Sequence, residues 1–465
     1  MIPLTIAAVA AAVNGRVLTG DRETAVTGVT IDSRRVGPGE LFVALKGERF
    51  DGHDFAAGAI ELGAAGVIVS RPLDYRGSNR AVIQVENTLG ALQDLARFYR
   101  YRFAIPVIGV TGSTGKTTTK DMIAAVLNEA GPALKTGGNF NNEIGLPLTL
   151  LQLGPEHWAA VIEMGMRGLG EINGLCRIAH PTLGVITNIG LTHIELLGST
   201  DNIARAKGEL LGSLGQEGTA ILNGDDPHLR RLGEGFPGRV IYYGLNRGAD
   251  IEAVGINLEA DGSSFLARIN LPGAAGGRDI PVSLKVPGRH NVSNALAAVA
   301  VGAALNLEPE TISRGLRNLA LSKMRLEVVH GFRNSSIIND SYNANPTSMA
   351  AALEILARKK AGGAGIAVLG DMLELGDWAE AAHRQVGAEA ARLGIDHLIT
   401  VGDLAGDIAR GALASGMDQA QIKACPCNQM AVGIVKEVVQ PGDVVLVKGS
   451  RGMKMEEIVE ALKSR

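Results

Sequence analysis

Residues 105–119, IPVIGVTGSTGKTTT, run an apolar strand into a glycine-bracketed turn and then a helix, which commits the surrounding chain to an α/β arrangement built on a phosphate-binding loop. Gly112 and Gly115 allow backbone N–H groups of a turn that also holds Ser113, Thr114 and Thr118 to close on phosphate oxygens. Lys116 adds a point charge, and the Thr117 hydroxyl stands where such loops hold Mg²⁺. ATP is the ligand this pattern points to. The spacing is unusual, because the common G-x-x-x-x-G-K-[ST] pattern counted back from Gly115 asks for glycine where this chain has Val110. The bland alternative is a Gly/Ser/Thr turn between strand and helix; Lys116 and Thr117 at the helix start argue against it.

At 465 residues the chain is long enough for about three domains, and 46% hydrophobic residues with 20% charged supply buried cores. A formal net charge of −3, from 45 basic and 48 acidic residues, gives no global attraction for nucleic acid or an anionic membrane. Any phosphate binding is therefore local. The three cysteines, Cys176, Cys425 and Cys427, are too few and too unevenly spaced for a disulfide framework, which suits a reducing compartment. Residues 1–13 have no basic group ahead of their apolar run, and the longest later apolar stretch, 295–305, falls short of the roughly 20 residues of a membrane span. A cytoplasmic chain with no membrane insertion and no nucleic-acid partner is expected.

The expected fold class is α/β in three domains. A small mixed α/β domain (1–83) shows buried strands at 41–45 and 66–69 with a helix at 55–62 between them; a helix at 88–101 follows and links it to the next unit. A central ATP-binding domain (84–321) alternates strands and helices around a mostly parallel sheet, with strands at 159–163, 183–187 and 219–223 that each end in a polar residue. Residues 250–286 read as a strand-rich insertion with turns at Gly262 and Gly276-Gly277, before a helix at 291–305 returns to the core. A Rossmann-like domain (322–465) has strands at 336–339, 365–369, 397–401 and 443–447, with helices at 349–356 and 455–462. It lacks G-x-G-x-x-G after a strand, so no dinucleotide role is expected.

In open α/β sheets ligands lie at the strand C-termini, so the polar residues there are the site candidates. Glu163 closes an apolar strand and is placed to reach a metal or its waters; the competing reading is a charged strand cap. His193 follows the next strand on the same sheet edge as Glu163 and Lys116, which raises it above a packing or surface histidine. Lys207 lies on a helix at 203–214, and its spacing alone gives only a solvated lysine. In the third domain Arg325 is suited to neutralising phosphate, and Asp340 at a strand end to binding ribose hydroxyls or water. A linker ion pair and an N-capping turn are the alternatives there, but residues 340–348 are richer in polar donors than a cap needs.

Taken together, residues 109–119, 138–147 (GNFNNEIGLP), 188–195 with 206–209, 288–294 (GRHNVSN), and Arg325 with 340–349 resemble the Mur ligase family of bacterial cell-wall enzymes over essentially the whole chain. The first unit adds Asp32-Ser33-Arg34, 42–47 and 51–55. Within the family, 340–349 (DSYNANPTSM) and 370–376 (GDMLELG) most resemble the branch that adds D-alanyl-D-alanine; the earlier-acting ligases tend to carry Asp-Tyr-Ala-His-x-Pro at the first of these places. The resemblance implies an ATP-dependent amide ligase, with Mg²⁺, that joins D-alanyl-D-alanine to UDP-MurNAc-tripeptide (UDP-N-acetylmuramoyl-tripeptide) through an acyl phosphate; separately, a monomer is expected. Carried over residue by residue, Ser33, Arg34, Lys46 and Gly47 serve the UDP end, while Asn139, Asn141 and Asn142 face substrate and phosphates across the central cleft. Thr117 and Glu163 hold one Mg²⁺, and His193 with Lys207 a second; an ammonium repels a cation, so Lys207 is expected as a carbamate. Lys116, His193 and Lys207 form the catalytic set, Asn291 and Arg325 contact ATP, and Asp340 lies beside its ribose. A hinge at 320–323 is expected to let the third domain swing onto the second. Two alternatives stay open: another ligase of the same kind, Mur-type or folylpolyglutamate-type, the 32–34 segment speaking against the latter, and a non-catalytic nucleotide switch.

Overall fold

Short β-branched runs separated by glycine turns leave little choice but buried parallel strands, and the chain uses them three times. The computed structural model describes residues 1–73, 79–271, 278–360 and 362–464, with three main sheets and a two-stranded pair near the start. In the first sheet, Gly28–Thr30, Glu40–Val43, Gly66–Val69 and Ala81–Gln84 run parallel in that order, and Arg16–Thr19 adds an antiparallel edge. A 3-10 turn at Gly52–Phe55 runs into the helix Ala56–Glu61, close to the expected one.

The helix Thr88–Arg100 carries the chain into the second unit, as its apolar spacing implies. Asn87 caps it by accepting from the Gly90 N–H, and Leu92, Leu95 and Tyr99 line its buried face. The Tyr99 hydroxyl donates to the Leu153 carbonyl at 2.7 Å and accepts the Ile2 N–H at 2.6 Å, so one phenol fastens the first and second units.

The central sheet has nine strands. Ala133–Lys135, Ala159–Glu163, Val107–Thr111, Leu183–Ile186, Thr219–Asn223, Arg239–Gly244 and Ile251–Leu258 are parallel in that order. Ser263–Ile269 and Arg278–Leu284 then continue the same sheet antiparallel. The 250–286 stretch is therefore no insertion: it lengthens the central sheet through a short parallel hook, Tyr243 opposite Ile251 and Gly244 opposite Glu252. The expected turn at Gly276-Gly277 lies outside the described residues. The helix Arg289–Ala304, buried through most of its length, covers one face beside the helix Lys116–Asn128.

The third sheet orders Glu327–His330, Ser336–Asn339, Val444–Lys448, Gly365–Gly370, His397–Val401 and Ile422–Cys425, parallel apart from the first edge. In the second and third sheets a central strand, Val107–Thr111 or Val444–Lys448, lies where the winding reverses, and a crevice opens at its C-terminal end. The two crevices share one cavity.

Candidate active site

Five consecutive buried residues, Val107–Thr111, deliver the chain to the glycine turn at the sheet edge. Gly112 has φ +148°, and a Cβ there would lie 1.8 Å from Thr187 Oγ1; Gly115 has φ +77°, and its Cβ would lie 2.6 Å from Asn294 Oδ1. Only glycine fits either position. The loop is held from the neighbouring strand: Ser113 N–H donates to the Asn188 carbonyl at 2.9 Å, Thr114 N–H to Asn188 Oδ1 at 3.0 Å, and Thr187 Oγ1 to the Thr114 carbonyl at 2.5 Å. The helix Lys116–Asn128 starts directly after it, so its first N–H groups, which have no acceptor in their own helix, open on the cavity beside Thr117 and Thr118.

That cavity encloses about 660 Å³ between the second and third sheets. Lys116, Thr117, Glu163, His193 and Asn291 face it from one side, Arg325, Asp340, Tyr342 and Lys448 from the other. Lys116 folds its ammonium back on the Gly112 carbonyl at 2.7 Å. Burial pushes its pKa down, the Glu163 carboxylate opposes that, and Arg325 adds to it.

Glu163 ends its strand 2% exposed. Its Oε1 accepts from Asn141 Nδ2 at 2.9 Å, while Oε2 is buried with no hydrogen-bond partner. An orphaned carboxylate oxygen in a cavity that Thr117 also lines is what a hard divalent cation requires. Among the described residues no group of three or more His, Cys, Asp or Glu is arranged to hold a metal ion, so other oxygens must complete any such site. His193, held at φ +60° where its short helix begins, has Nδ1 2.5 Å from Glu374 Oε2, near enough for an ion pair but not aligned as a hydrogen bond. Burial lowers its pKa and the Glu374 charge opposes the shift.

Lys207 lies on the helix Thr200–Gly212, 2% exposed, and the charge that acts on it is that of Lys116 rather than of a carboxylate. Burial, reinforced by the Lys116 charge, drives its pKa well below that of an ordinary lysine. The solvated-lysine reading that spacing gave is thus incorrect.

In the third unit, Arg325 lies between two residues held in the left-handed region, Met324 at φ +60° and Leu326 at φ +54°. Its guanidinium stacks 4.4 Å over the Tyr342 ring. Asp340 accepts from Lys448 Nζ at 2.5 Å and from the Leu326 N–H at 3.2 Å, so both its oxygens are already engaged.

The structure gathers most of the expected residues and leaves some apart. Ser113, Thr114, Gly115, Thr118, Asn141 and Asn142 line the cavity with those above, whereas Gly112 and Lys207 do not. Asn142 spends its Oδ1 on the Gly145 N–H at 2.9 Å. Asn139, Ser33, Arg34, Lys46 and Gly47 are not part of this cavity. Arg34 is 86% exposed and grips Asp32, whose carboxyl it holds down at about 2; Gly47 N–H donates to the Phe50 carbonyl at 2.9 Å. Sequence reasoning gave no role to His290, Tyr342, Glu374 or Lys448, which the fold brings to the site or its rim. Lys448 carried a usable signal, a polar residue ending a buried parallel strand, the same rule that singled out Glu163.

Sequence and structure comparisons agree on one kinship. Residues 25–100 match the Mur ligase family catalytic domain, 110–302 the Mur ligase middle domain, and 324–451 the Mur ligase glutamate ligase domain. The chain is 42% identical, over 99% of each chain, to a UDP-N-acetylmuramoyl-tripeptide--D-alanyl-D-alanine ligase of Bacillus subtilis. Among solved structures, it superposes on MurF from Acinetobacter baumannii with a TM-score of 0.88 at 34% identity, covering 98% of each chain. On MurF ligase from Thermotoga maritima in complex with ADP the TM-score is 0.80 at 28% identity, covering 93% of this chain and 96% of that one. The phosphate loop, the cavity it shares with a second parallel sheet, and full-length likeness to these proteins carry one conclusion: the chain belongs to the Mur ligase family.

Proposed function

We propose that this protein is an ATP-dependent ligase that joins D-alanyl-D-alanine to UDP-MurNAc-tripeptide, giving UDP-MurNAc-pentapeptide, ADP and phosphate. The observation that carries the reading is the single cavity in which Lys116 and Thr117 of one sheet face Arg325 and Lys448 of another, in a chain alike end to end to enzymes named for this reaction. The chemical obstacle is that a carboxylate is a poor electrophile. The tripeptide's terminal carboxylate attacks the γ-phosphoryl of ATP, forming a C–O–P linkage as the bond to ADP breaks; the dipeptide amine then attacks the carbonyl carbon, the C–O bond to phosphate breaks, and inorganic phosphate leaves as the new amide nitrogen gives up its proton.

Lys116, released from the Gly112 carbonyl, meets the charge that grows on the transferring group, and the helix N–H groups after Gly115 hold the remaining phosphates. Arg325, stiffened by its stack on Tyr342, approaches from the opposite side. Thr117 and the orphaned Glu163 oxygen are the residues to hold one Mg²⁺, and His193 with carbamylated Lys207 a second; the ions supply Lewis-acid neutralisation of phosphate charge. A lysine with a depressed pKa exposes the free amine that adds CO₂, which supports the carbamate. Asn291 and Asp340 serve the nucleoside, Asn139, Asn141 and Asn142 the peptide and phosphates, and Ser33, Arg34, Lys46 and Gly47 the UDP end.

The division into 1–83, 84–321 and 322–465 belongs to the same reading. One chain's own units complete the cavity, which favours a monomer. Free cysteines throughout and the lack, among the described residues, of any helix long and apolar enough to cross a membrane favour the cytoplasm. The test is phosphate release from ATP with UDP-MurNAc-tripeptide, with and without D-alanyl-D-alanine, followed by mass spectrometry. A product heavier by the dipeptide less one water supports the proposal; phosphate release indifferent to the dipeptide overturns it.

A further inference from the structure

Asp121 lies one turn into the helix that begins at Lys116, with a side chain that is 0% exposed. Its Oδ1 is 3.3 Å from Lys120 Nζ and 2.8 Å from Lys135 Nζ. Its Oδ2 accepts from both the backbone N–H of Ser322, at 3.0 Å, and the Ser322 hydroxyl, at 2.7 Å. A buried ion pair is seldom more stable than apolar packing of the same volume, so stability alone is a weak reason for this carboxylate. Its second oxygen is spent entirely on the linker between the second and third units.

The linker is fixed again four residues on, where the Leu326 N–H donates to Asp340 Oδ1 at 3.2 Å. Arg325 thus lies on a short span tied at one end to the central unit and at the other to the third. The central tie also reaches the metal side of the cavity. Lys120 Nζ donates to the Thr136 carbonyl at 2.9 Å, and Thr136 Oγ1 accepts the Glu163 N–H at 2.9 Å. A path of hydrogen bonds and one ion pair, Lys120 with Asp121, therefore runs from Glu163 through Thr136, Lys120 and Asp121 to Ser322.

We infer that Asp121 is a positioning residue of the ligase reaction: by anchoring Ser322 to the phosphate-loop helix it sets where Arg325 enters the nucleotide cavity. The inference rests on the functional reading above in assigning Arg325 to ATP. Asp121 touches no substrate; it acts through the linker, and its loss leaves the phosphate loop intact while Arg325 wanders.

A double-mutant cycle tests this. Asp121→Asn is expected to lower kcat about tenfold to a hundredfold, the scale of an ångström-sized misplacement of a reacting partner. In an Arg325→Ala background the same substitution is expected to cost almost nothing further, because the group it positions is gone. Ser322→Ala repeats the cycle with a smaller loss and stands in if Asp121→Asn fails to fold; Ser322→Thr, which keeps the hydroxyl, is expected to restore the rate. Additive losses in the two backgrounds, or an unchanged kcat in both Asp121→Asn and Ser322→Ala, overturn the inference. Equilibrium ADP affinity, followed through the same cycle, separates the two claims: if wild-type protein releases no dipeptide-dependent phosphate the functional reading fails, while non-additive ADP affinities still support the tether and additive ones still reject it.

Discussion

Two residues turn burial into chemistry, and each yields a measurable consequence. Lys207 is enclosed with a second cation, Lys116, as its charged neighbour, so the fold favours its neutral amine. Protein equilibrated with ¹³C-bicarbonate is expected to show a carbamate carbon signal by NMR that disappears in Lys207→Arg, and Lys207→Ala is expected to lose about a hundredfold or more in kcat, as metal-site changes do. His290 is the second case. Burial, opposed by Asp340 and reinforced by Lys448, pushes its pKa from 6.5 down to about 4. Between those values the unfolded chain takes up a proton that the folded one refuses, so the stability due to neutral His290 is intact above pH 6.5 and is lost as pH falls toward 4. The melting temperature of the wild type is expected to fall through that window more steeply than that of His290→Gln; parallel curves would show that the histidine is not held neutral.

At the scale of elements, parallel strands such as Ala159–Glu163, Leu183–Ile186 and Val444–Lys448 were legible because each is a run of four or five buried residues bounded by turn residues. Ala159–Glu163 and Thr219–Asn223 form as read, down to the polar end that opens on the site. Helix ends were less legible: the third unit's first helix spans Pro346–Lys359, past both expected ends, because its Asn345 capping box and the basic end Arg358-Lys359 carry no apolar period. The strands at 251–284 misled for a different reason. Ser263–Ile269 alternates buried with more exposed residues, the signature of a free-standing hairpin, and only the brief pairing of residues 243–244 with 251–252 joins it to the central sheet. Pattern cannot reveal such a join. The site divides in the same way. The phosphate loop was legible because its glycines and lysine are contiguous, whereas Glu374 and the Asp121 anchor depend on residues 181 and 201 positions apart, brought together only by tertiary packing.

At the scale of the whole molecule, polar contacts join the third unit to the second beside a hydrophobic cluster that runs through both, with Ile194 and Leu197 in one and Met372 and Leu375 in the other. Besides Ser322 with Asp121, the polar contacts include His193 with Glu374, the Glu195 N–H with the Glu374 carbonyl at 3.5 Å, Asn345 Nδ2 with Thr192 Oγ1 at 3.4 Å, and Lys359 with Asp261. They are not equivalent. Asp261 is 78% exposed, so its pair is solvated and screened, whereas His193 is 19% exposed at the cavity wall. Lys359→Ala is therefore expected to leave kcat within about twofold of wild type. Glu374→Ala, which frees a residue of the site, is expected to lower kcat about tenfold or more. A ligand bound on both faces of the cavity, by Lys116 and by Arg325, favours the arrangement in which the two faces meet by its differential affinity for that arrangement. Small-angle scattering is accordingly expected to show a smaller radius of gyration when a non-hydrolysable ATP analogue and the sugar nucleotide are both present than in their absence, with Glu374→Ala compacting less than Lys359→Ala. Identical scattering with and without ligands would mean that the two sheets meet permanently, and the 320–323 segment would then be a strut rather than a hinge.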